Sequence, residues 1–273
     1  MSTSTLNQIC AASPLIHCIT NYVTVNDVAN VLLAVGARPI MADDPEEAEE
    51  ITNLCAGLCL NIGTLNARTI PSMIAAGKHA RALGHPVVLD PVGAGASRLR
   101  TATALRILDE VRPTLIRGNI SEVRTLAVGT GTTQGVDANA ADAVTEENLT
   151  AAAELLRAFA ARTEAIVAVT GAIDLVTDGR DCYAIRNGRA EMGRVTGTGC
   201  QLSALLAAAL AAHPSGTLAA VAETVALMGT AGELAWAQME ESDGNATYRT
   251  RIIDAIYHMT TEELHANMNI TKL

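Results

Sequence analysis

Aromatic side chains are scarce in this sequence of 273 residues, of which only 2% are Phe, Trp or Tyr. Proteins that bind single-stranded nucleic acids stack the bases on aromatic rings, so this composition argues against such a protein. Positive charge is scarce too, because 19 Lys and Arg are outnumbered by 29 Asp and Glu, which leaves a formal net charge of −10. This balance argues against a general binder of phosphate backbones. We therefore expect no nucleic-acid partner, and a phosphate ligand would need a local site with a cation.

Cysteine motifs and long apolar runs are also missing. The six cysteines include no Cys-x-x-Cys pair, and no His or Cys cluster has the spacing of a metal site. The N-terminus has no basic segment followed by a long apolar one, so we expect no signal peptide. No uninterrupted apolar segment reaches the roughly 18 residues of a membrane span. We expect free thiols, a cytoplasmic protein and no membrane partner.

What remains is a composition with ample material for a core, since 49% of the residues are hydrophobic and 18% are charged. Short apolar stretches alternate with helical patterns, which predicts βα units around a mostly parallel sheet. The clearest buried strand is 86–90, and 173–178 with 181–186 predict an antiparallel hairpin. Beyond residue 199 the pattern is nearly all helical. We interpret residues 1–273 as a single α/β domain with an irregular loop at 129–145.

The strongest local motif is Val-Thr-Gly-Thr-Gly-Cys at 195–200, which opens a long apolar helix. Gly197 and Gly199 allow the backbone to approach a ligand, and N–H groups at a helix start bind anions. Cys200 falls in the first helical turn, where the thiolate form of a cysteine is favoured. The alternative interpretation is an ordinary glycine-rich turn between a strand and a helix, with a buried cysteine.

Polar residues follow three further predicted strands. Asp90 ends the 86–90 strand, at the edge where open α/β sheets bind ligands, although it could also be a helix cap or a loop carboxylate. Arg117, Asn119 and Glu122 follow the next strand and could hold phosphates and a magnesium-bound water. The alternative interpretation of these residues is a helix-capping box formed by Asn119 and Glu122. Thr170 precedes a glycine at the end of another strand, which by itself is an ordinary turn.

Several familiar signatures are missing from the sequence: it has no Walker lysine motif, no His-Glu-x-x-His and no Gly-x-Ser-x-Gly. Gly93 and Gly95 resemble a dinucleotide-binding loop only superficially, because the third glycine and a ribose-binding acid are missing. His17 in a predicted strand could contact a ligand, but we favour a hydrogen-bonded core histidine. Because the ends of successive parallel strands share one edge, the polar motifs are expected to line one cleft.

Eight motifs, taken in order, resemble the hydroxyethylthiazole kinase family and extend over about residues 13–215. They are Ile19-Thr20-Asn21, Pro39-Ile40-Met41-Ala42, Leu60-Asn61-Ile62-Gly63-Thr64-Leu65, Leu89-Asp90-Pro91-Val92-Gly93-Ala94-Gly95, Ile116-Arg117-Gly118-Asn119, Gly135-Val136-Asp137, Val169-Thr170-Gly171 and Val195-Thr196-Gly197-Thr198-Gly199-Cys200. This sequence departs from the family pattern at Gln134, where a basic residue is common, and at Thr198, where Ala is common.

The resemblance implies a ribokinase-like three-layer fold, with helices on both faces of a mostly parallel sheet and an antiparallel hairpin at its edge. It implies a Mg²⁺- and ATP-dependent kinase that phosphorylates the primary alcohol of 4-methyl-5-(2-hydroxyethyl)thiazole, a salvage step of thiamine phosphate biosynthesis. It also implies a homotrimer with active sites at the subunit boundaries.

The resemblance further implies a role for each matching residue. The thiazole contacts would be Met41 and Gly197, with Asn21 and Gly63 near them. The ATP-side residues would be Arg117, Thr170, Asn119 and Gly199, and the acids on the Mg²⁺ and phosphate side would be Asp90 and Glu122. Cys200 is the implied catalytic residue, since related enzymes carry at this position an Asp that is taken to be the base.

Two other kinds of function stay open at this point. One is another ribokinase-like enzyme, such as a hydroxymethylpyrimidine kinase or an ADP-dependent hydrate dehydratase, but these would have Asp where this chain has Cys200. The other is a non-catalytic regulator that binds a thiazole or a nucleotide. Such a protein could have lost Asp90, Glu122 and Arg117, and all three are present.

Overall fold

A computed structural model describes residues 4–128, 143–213 and 218–273 of the chain. Within these residues, strands form one mixed sheet in the order β2-β1-β3-β4-β5-β6-β7-β8-β9. The strands are β1 Leu15–Ile19, β2 Arg38–Ile40, β3 Gly57–Asn61, β4 Val87–Asp90, β5 Leu115–Asn119, β6 Ile166–Thr170, β7 Asp174–Thr177, β8 Cys182–Ile185 and β9 Ile270–Lys272. Every pairing among β1–β6 is parallel, and β7, β8 and β9 are added antiparallel.

Helices cover both faces of this sheet. They are α1 Thr5–Ala12, α2 Val25–Ala34, α3 Ala48–Leu54, α4 Thr69–Ala82, α5 Arg98–Glu110, α6 Ile120–Val128, α7 Leu149–Thr163, α8 Thr198–Ala212, α9 Leu218–Ala237, α10 Asn245–His258 and α11 Thr261–Asn267, with a 3-10 helix at Ala190–Arg194. Side chains of α1, α2 and α8–α11 form one buried cluster, and those of α3–α7 form the other. Strand β4 serves both, because Val88 points into the first cluster while Val87 and Leu89 point into the second. The predicted three-layer α/β arrangement is confirmed.

Three local predictions were wrong or incomplete. The chain does not end in helix, because β9 pairs with β8 at the sheet edge. This strand is only three residues long and mostly exposed, so it has no apolar pattern from which it could be predicted. Helix α1 was not predicted. Asp44 followed by Pro45 predicts a helix that begins at Pro45 with Asp44 as its N-cap. Helix α3 begins instead at Ala48, since the Asp44 side chain accepts from the N–H of Glu46 and first forms a turn. Most of the predicted loop at 129–145, including Gln134 and the 135–137 motif, lies outside the described residues.

Helix α9 is the one described helix that is long and apolar enough to cross a membrane, with a mean hydropathy of 1.3. In this structure 72% of that apolar window is buried inside the protein. It packs against α8 and α10, so we interpret it as a core helix. All six cysteines are free thiols, as predicted.

Candidate active site

The carboxyl ends of four adjacent parallel strands converge on one edge of the sheet. Strand β3 ends at Asn61, β4 at Asp90, β5 at Asn119 and β6 at Thr170. Their registers bring Asn61 beside Asp90 and Asn119 beside Thr170. The start of α8 faces the same edge, since Ser203 on this helix is hydrogen-bonded to Asp90. The cleft expected from the sequence is therefore present.

Two cavities open at this edge. The first, which we call the Cys200 cavity, has a volume of about 310 Å³ and is lined by Asn21, Val23, Thr24, Gly63, Asp90, Val92, Arg117, Asn119, Glu122, Thr196, Gly197, Gly199 and Cys200. The second, the Thr170 cavity, has a volume of about 570 Å³ and is lined by Arg117, Thr170, Gly171, Ala172, Asp174, Asn187, Gly188, Arg189, Ala190, Met192, Gly193, Thr198, Gly199, Leu202, Val225, Met228 and Gly229. They share Arg117 and Gly199, so the two cavities meet at the start of α8.

Ten of the eleven site residues predicted from the sequence line one or both cavities. These are Asn21, Gly63, Asp90, Arg117, Asn119, Glu122, Thr170, Gly197, Gly199 and Cys200. The exception is Met41, which follows the edge strand β2 and packs, partly buried, against the core cluster of α2 and α8. Within a single chain, Met41 therefore lines neither of these two cavities.

Asp90 is fully buried at the floor of the Cys200 cavity. Its Oδ2 accepts hydrogen bonds from Asn61 Nδ2 and Ser203 Oγ, both at 2.8 Å, and lies 3.7 Å from Nη1 of Arg117. Its Oδ1 has no hydrogen-bond partner among the residues that the structure describes. Burial raises the pKa of Asp90 to about 6, although the neighbouring Arg117 charge and the two hydrogen bonds oppose the shift. The buried, unpartnered Oδ1 is available to a cation or to a donor from a ligand.

Two asparagines connect Asp90 to Cys200. Asn61 Nδ2, which donates to Asp90, also donates to the Cys200 sulfur at 3.2 Å. Asn21 Nδ2 donates to the same sulfur at 3.2 Å and to Asn61 Oδ1 at 3.1 Å. The backbone N–H of Gly63 donates to Asn61 Oδ1 at 2.9 Å, which fixes the orientation of that amide. The sulfur is thus held by two amide donors, one just after β1 and one at the end of the neighbouring strand β3.

The thiol of Cys200 is not activated by its position at a helix start. Burial and the nearby Asp90 charge raise the pKa of Cys200, and the hydrogen bonds with Thr24, Asn21 and Asn61 only partly oppose this shift. The expectation that the first helical turn favours a thiolate at this residue is therefore wrong. Desolvation of the sulfur outweighs the helix dipole, whose effect on an ion is typically below about 1 kcal/mol.

Arg117 joins the two cavities. Its Nη2 donates to the hydroxyl of Thr170, and its Nη1 forms the ion pair with Asp90. Its Nε is buried and has no hydrogen-bond partner within the described parts of the chain. The guanidinium lies directly over Gly199, where an added Cβ would fall 2.7 Å from Nη2 and 2.8 Å from Cζ. A positive charge and the free N–H groups of a helix start therefore face the same point, which suits an anionic ligand.

Asn119 and Glu122 form the capping box that was the alternative interpretation of this motif. The Glu122 N–H donates to Asn119 Oδ1 at 2.8 Å, and the Asn119 N–H donates back to Glu122 Oε2 at 2.9 Å. The second oxygen of Glu122 accepts from the N–H of Gly93 at 2.8 Å. Glu122 thus caps α6 and also holds the loop after β4, while both residues still line the Cys200 cavity.

Four residues of this region were not among the predicted site residues. Asn61 and Ser203 hold Asp90, as described above. Arg100 on α5 donates to the carbonyl oxygens of Val92 at 3.0 Å and Gly63 at 2.7 Å, which ties two loops together at the rim. Asp174 lines the Thr170 cavity, and burial raises its pKa to about 7. Only Asn61 could have been found, since it stands in one of the recognised motifs.

His17 is a satisfied core residue, as the sequence analysis favoured. It is fully buried. Its Nδ1 lies 2.9 Å from Thr52 Oγ1 and its Nε2 lies 2.7 Å from the carbonyl oxygen of Ala42.

The cavity chemistry is compatible with Mg²⁺. The described residues contain no group of three or more His, Cys, Asp or Glu that could hold a metal by themselves. Mg²⁺ does not need one, because it is commonly bound by one or two carboxylates together with water and substrate phosphates. The unpartnered Oδ1 of Asp90 and the cavity-lining Glu122 fit that donor set.

Comparisons with known proteins agree with this site. The model of the Hydroxyethylthiazole kinase family matches residues 6–262. A hydroxyethylthiazole kinase of Clostridium acetobutylicum is 51% identical over 259 residues and covers 95% of each chain. One from Ruminiclostridium cellulolyticum is 46% identical and covers 94% of this chain and 92% of that one.

Solved structures extend the comparison to the fold. A hydroxyethylthiazole kinase protein from Pyrococcus horikoshii OT3 aligns with a TM-score of 0.87 and 34% identity over 98% of this chain and 97% of that one. A pyridoxal kinase from Staphylococcus aureus in complex with AMP-PCP aligns with a TM-score of 0.61 over 95% and 98% of the two chains, but at 15% identity it shows the fold alone. The ribokinase-like fold is confirmed, and the chain belongs to the hydroxyethylthiazole kinase family.

Proposed function

We propose that this chain, as one ribokinase-like domain, transfers the γ-phosphoryl group of ATP to the primary alcohol of 4-methyl-5-(2-hydroxyethyl)thiazole. The observation that carries the proposal is the meeting of two cavities at Arg117 and Gly199. The Thr170 cavity, at about 570 Å³, is large enough for a nucleotide, and the Cys200 cavity, at about 310 Å³, suits a small alcohol. A donor and an acceptor bound in these cavities would face each other at the start of α8.

Catalysis in this arrangement is mainly positioning and charge neutralisation, because phosphoryl transfer proceeds through a loose transition state. Arg117 would neutralise phosphate oxygens from the strand side, and the N–H groups of Gly199 and Cys200 would do so from the helix side. Asp90 and Glu122 would hold Mg²⁺, which when bound neutralises charge on the transferring phosphates. Asn119 would fix Glu122 through the capping box.

Cys200 acts in this proposal by position rather than as an obligatory base. Its sulfur already accepts two amide hydrogens, and its pKa is raised, so it stays a neutral thiol near pH 7. A loose transition state needs little proton removal before the bond to the leaving phosphate breaks. The thiol would therefore set the position of the substrate hydroxyl, next to Asn21 and Gly63.

We further propose a cytoplasmic homotrimer whose active sites lie at the subunit boundaries. Two observations support a shared site. Met41 lines neither of these two cavities of its own chain. Tyr22 and Val23, next to Asn21, are 64% and 65% exposed although they are large and apolar. Six free thiols are compatible with a reducing compartment.

The decisive experiment is ADP release from Mg·ATP in the presence of the thiazole alcohol, compared with hydroxymethylpyrimidine as acceptor. The phosphate ester is identified by ³¹P NMR. We expect turnover that depends on the thiazole alcohol, and its loss in Arg117→Ala, with Arg106→Ala on the exposed face of α5 as the matched control. Turnover with hydroxymethylpyrimidine alone would identify another ribokinase-like kinase. Tight binding of both ligands without any turnover would identify a non-catalytic regulator.

A further inference from the structure

The Thr170 cavity contains a carboxylate that the proposed mechanism does not use. Asp174 is the first residue of β7, and one of its oxygens, Oδ1, accepts from the backbone N–H of Gly171 at 2.8 Å. The residue also lines the cavity. A carboxylate has two oxygens and room for about four hydrogen bonds, so Asp174 can close the turn after β6 and still accept a hydrogen bond from a ligand.

The sheet register fixes how far Asp174 is from the anion-binding groups. Val169 pairs with Leu175, so the next residues, Thr170 and Asp174, face each other across the two strands. Neighbouring strands are separated by about 5 Å. The Thr170 hydroxyl in turn is hydrogen-bonded to Arg117. A ligand group that meets Asp174 is therefore about one strand spacing beyond the groups that would hold the phosphates.

In a nucleoside triphosphate the group at this position is the sugar. Phosphate oxygens would be repelled by the Asp174 carboxylate and would bind to Arg117 and to the start of α8 instead. The flat, largely apolar base suits the apolar part of the cavity lining, which includes Leu202, Val225 and Met228. The ribose lies between these two parts and offers two neighbouring hydroxyl groups as donors. A carboxylate that accepts from a ribose hydroxyl is an established means of sugar recognition in α/β folds.

We propose that Asp174 is a binding residue for the ribose hydroxyls of the phosphate donor, which makes the site selective for ribonucleotides over deoxyribonucleotides. This inference rests on the proposed function, because it takes the Thr170 cavity to be the nucleotide site. The environment of the side chain supports it. Burial raises the pKa of Asp174 to about 7, and Arg117 and the Gly171 N–H oppose the shift, so an additional donor from a ligand would stabilise the carboxylate form.

The experiment measures dissociation constants by calorimetry for ATP, 2′-deoxy-ATP and 3′-deoxy-ATP, which requires no turnover. Asp174→Asn is the principal variant, because its amide oxygen can still accept from the Gly171 N–H while the NH₂ group cannot accept from a hydroxyl. Asp174→Ala removes both interactions. Asp181→Asn is the matched control, since Asp181 lies on the same hairpin but is exposed and paired with Lys272 at 2.7 Å. Thermal melting shows that each variant folds.

We expect the wild-type protein and Asp181→Asn to bind at least one of the two deoxynucleotides about 10-fold or more weakly than ATP, the size of one hydrogen bond to a charged group. Both Asp174 variants should bind the three nucleotides alike. Equal affinities in the wild-type protein, or discrimination that persists in Asp174→Asn, would overturn the inference.

These outcomes are separable from a failure of the proposed function. A protein that binds ATP selectively through Asp174 but does not phosphorylate the thiazole alcohol refutes only the activity. A protein that phosphorylates the alcohol but does not discriminate among the nucleotides refutes only the role of Asp174. If ATP does not bind at all, both proposals are wrong.

Discussion

Replacing Gly199 by Ala should separate the activity of this protein from its stability. A Cβ at this position would lie 2.7 Å from Nη2 and 2.8 Å from Cζ of Arg117, whereas ordinary contacts begin at 3.4 Å. The backbone of α8 cannot yield easily, but the guanidinium is the end of a flexible side chain. We therefore expect the guanidinium to move by about 1 Å and to leave its contacts with Thr170 and Asp90.

The size of the effect follows from those two contacts. Hydrogen bonds to a charged group contribute about 1.5–3 kcal/mol, so kcat/KM for ATP should fall by about 10- to 100-fold. The backbone of Gly199 is helical, with no positive φ. Ala is the better helix former by up to about 1 kcal/mol, which offsets part of the contacts that Arg117 loses, so the melting temperature should fall only slightly while the activity falls strongly.

The assay is steady-state kinetics with ATP varied at saturating thiazole alcohol, beside thermal melting. Gly244→Ala is the control, since a Cβ there would meet no atom within 4 Å. Gly197→Ala is the contrasting variant, because Gly197 has a φ of 94° and its Cβ would meet Thr24 Cγ2 at 2.5 Å, so stability and activity should fall together. An unchanged kcat/KM for ATP in Gly199→Ala would refute the assignment of Arg117 to the nucleotide.

Three further outcomes are expected. At Cys200, the Ala variant should retain part of the rate and the Leu variant should not bind the thiazole. The Asp variant should match or exceed the wild-type kcat, because a carboxylate accepts a proton more readily at pH 7. An inactive Asp variant that still binds the thiazole would favour an obligatory thiol. The pKa of Asp90 in the folded protein is about 6, above the ordinary value of 3.8. Protonated Asp90 therefore contributes about 3 kcal/mol to the free energy of unfolding below pH 4, and this contribution is lost as the pH rises through 6. Asp90→Asn should therefore flatten the change of melting temperature between pH 4 and 6 while lowering turnover with Mg·ATP, and an unchanged pH profile would contradict the burial argument. In sedimentation the active protein should be a trimer, and Tyr22→Asp should dissociate it and raise KM for the thiazole; an active monomer would refute the shared site.

The layers of the fold were predictable because buried strands and amphipathic helices have different hydrophobic periods. Elements that are held in place by polar contacts could not be predicted from the sequence. Strand β9 is an example: Ile270–Lys272 is mostly exposed, and its position depends on the Asn269 N–H donating to Asn187 Oδ1 at 2.8 Å and on the ion pair of Lys272 with Asp181. Neither contact has a local signature, since the partners are 82 and 91 residues apart.

The candidate site shows the same limit at finer detail. Strand-end position and family motifs predicted ten cavity residues, but not their protonation or their partners. Ser203 reaches Asp90 from 113 residues away, and its hydroxyl points there only because α8 packs against β3 and β4. The raised pKa of Cys200 likewise depends on burial and on the charge of Asp90, which are properties of the folded chain. A helix-start motif alone predicted the opposite shift.

Asn119 and Glu122 illustrate why the structural and functional interpretations of a motif are not exclusive. In the capping box, the Asn119 side-chain oxygen and one carboxylate oxygen of Glu122 each accept a hydrogen bond from a backbone N–H group. The other carboxylate oxygen of Glu122 accepts from the N–H of Gly93. A carboxylate so fixed cannot turn away from the cavity, and it also holds the loop that follows Asp90. The acid that would serve the phosphate side is thus oriented by the same bonds that begin α6. Removing Asn119 should therefore disturb catalysis through Glu122 as well as the helix, because one set of hydrogen bonds supports both.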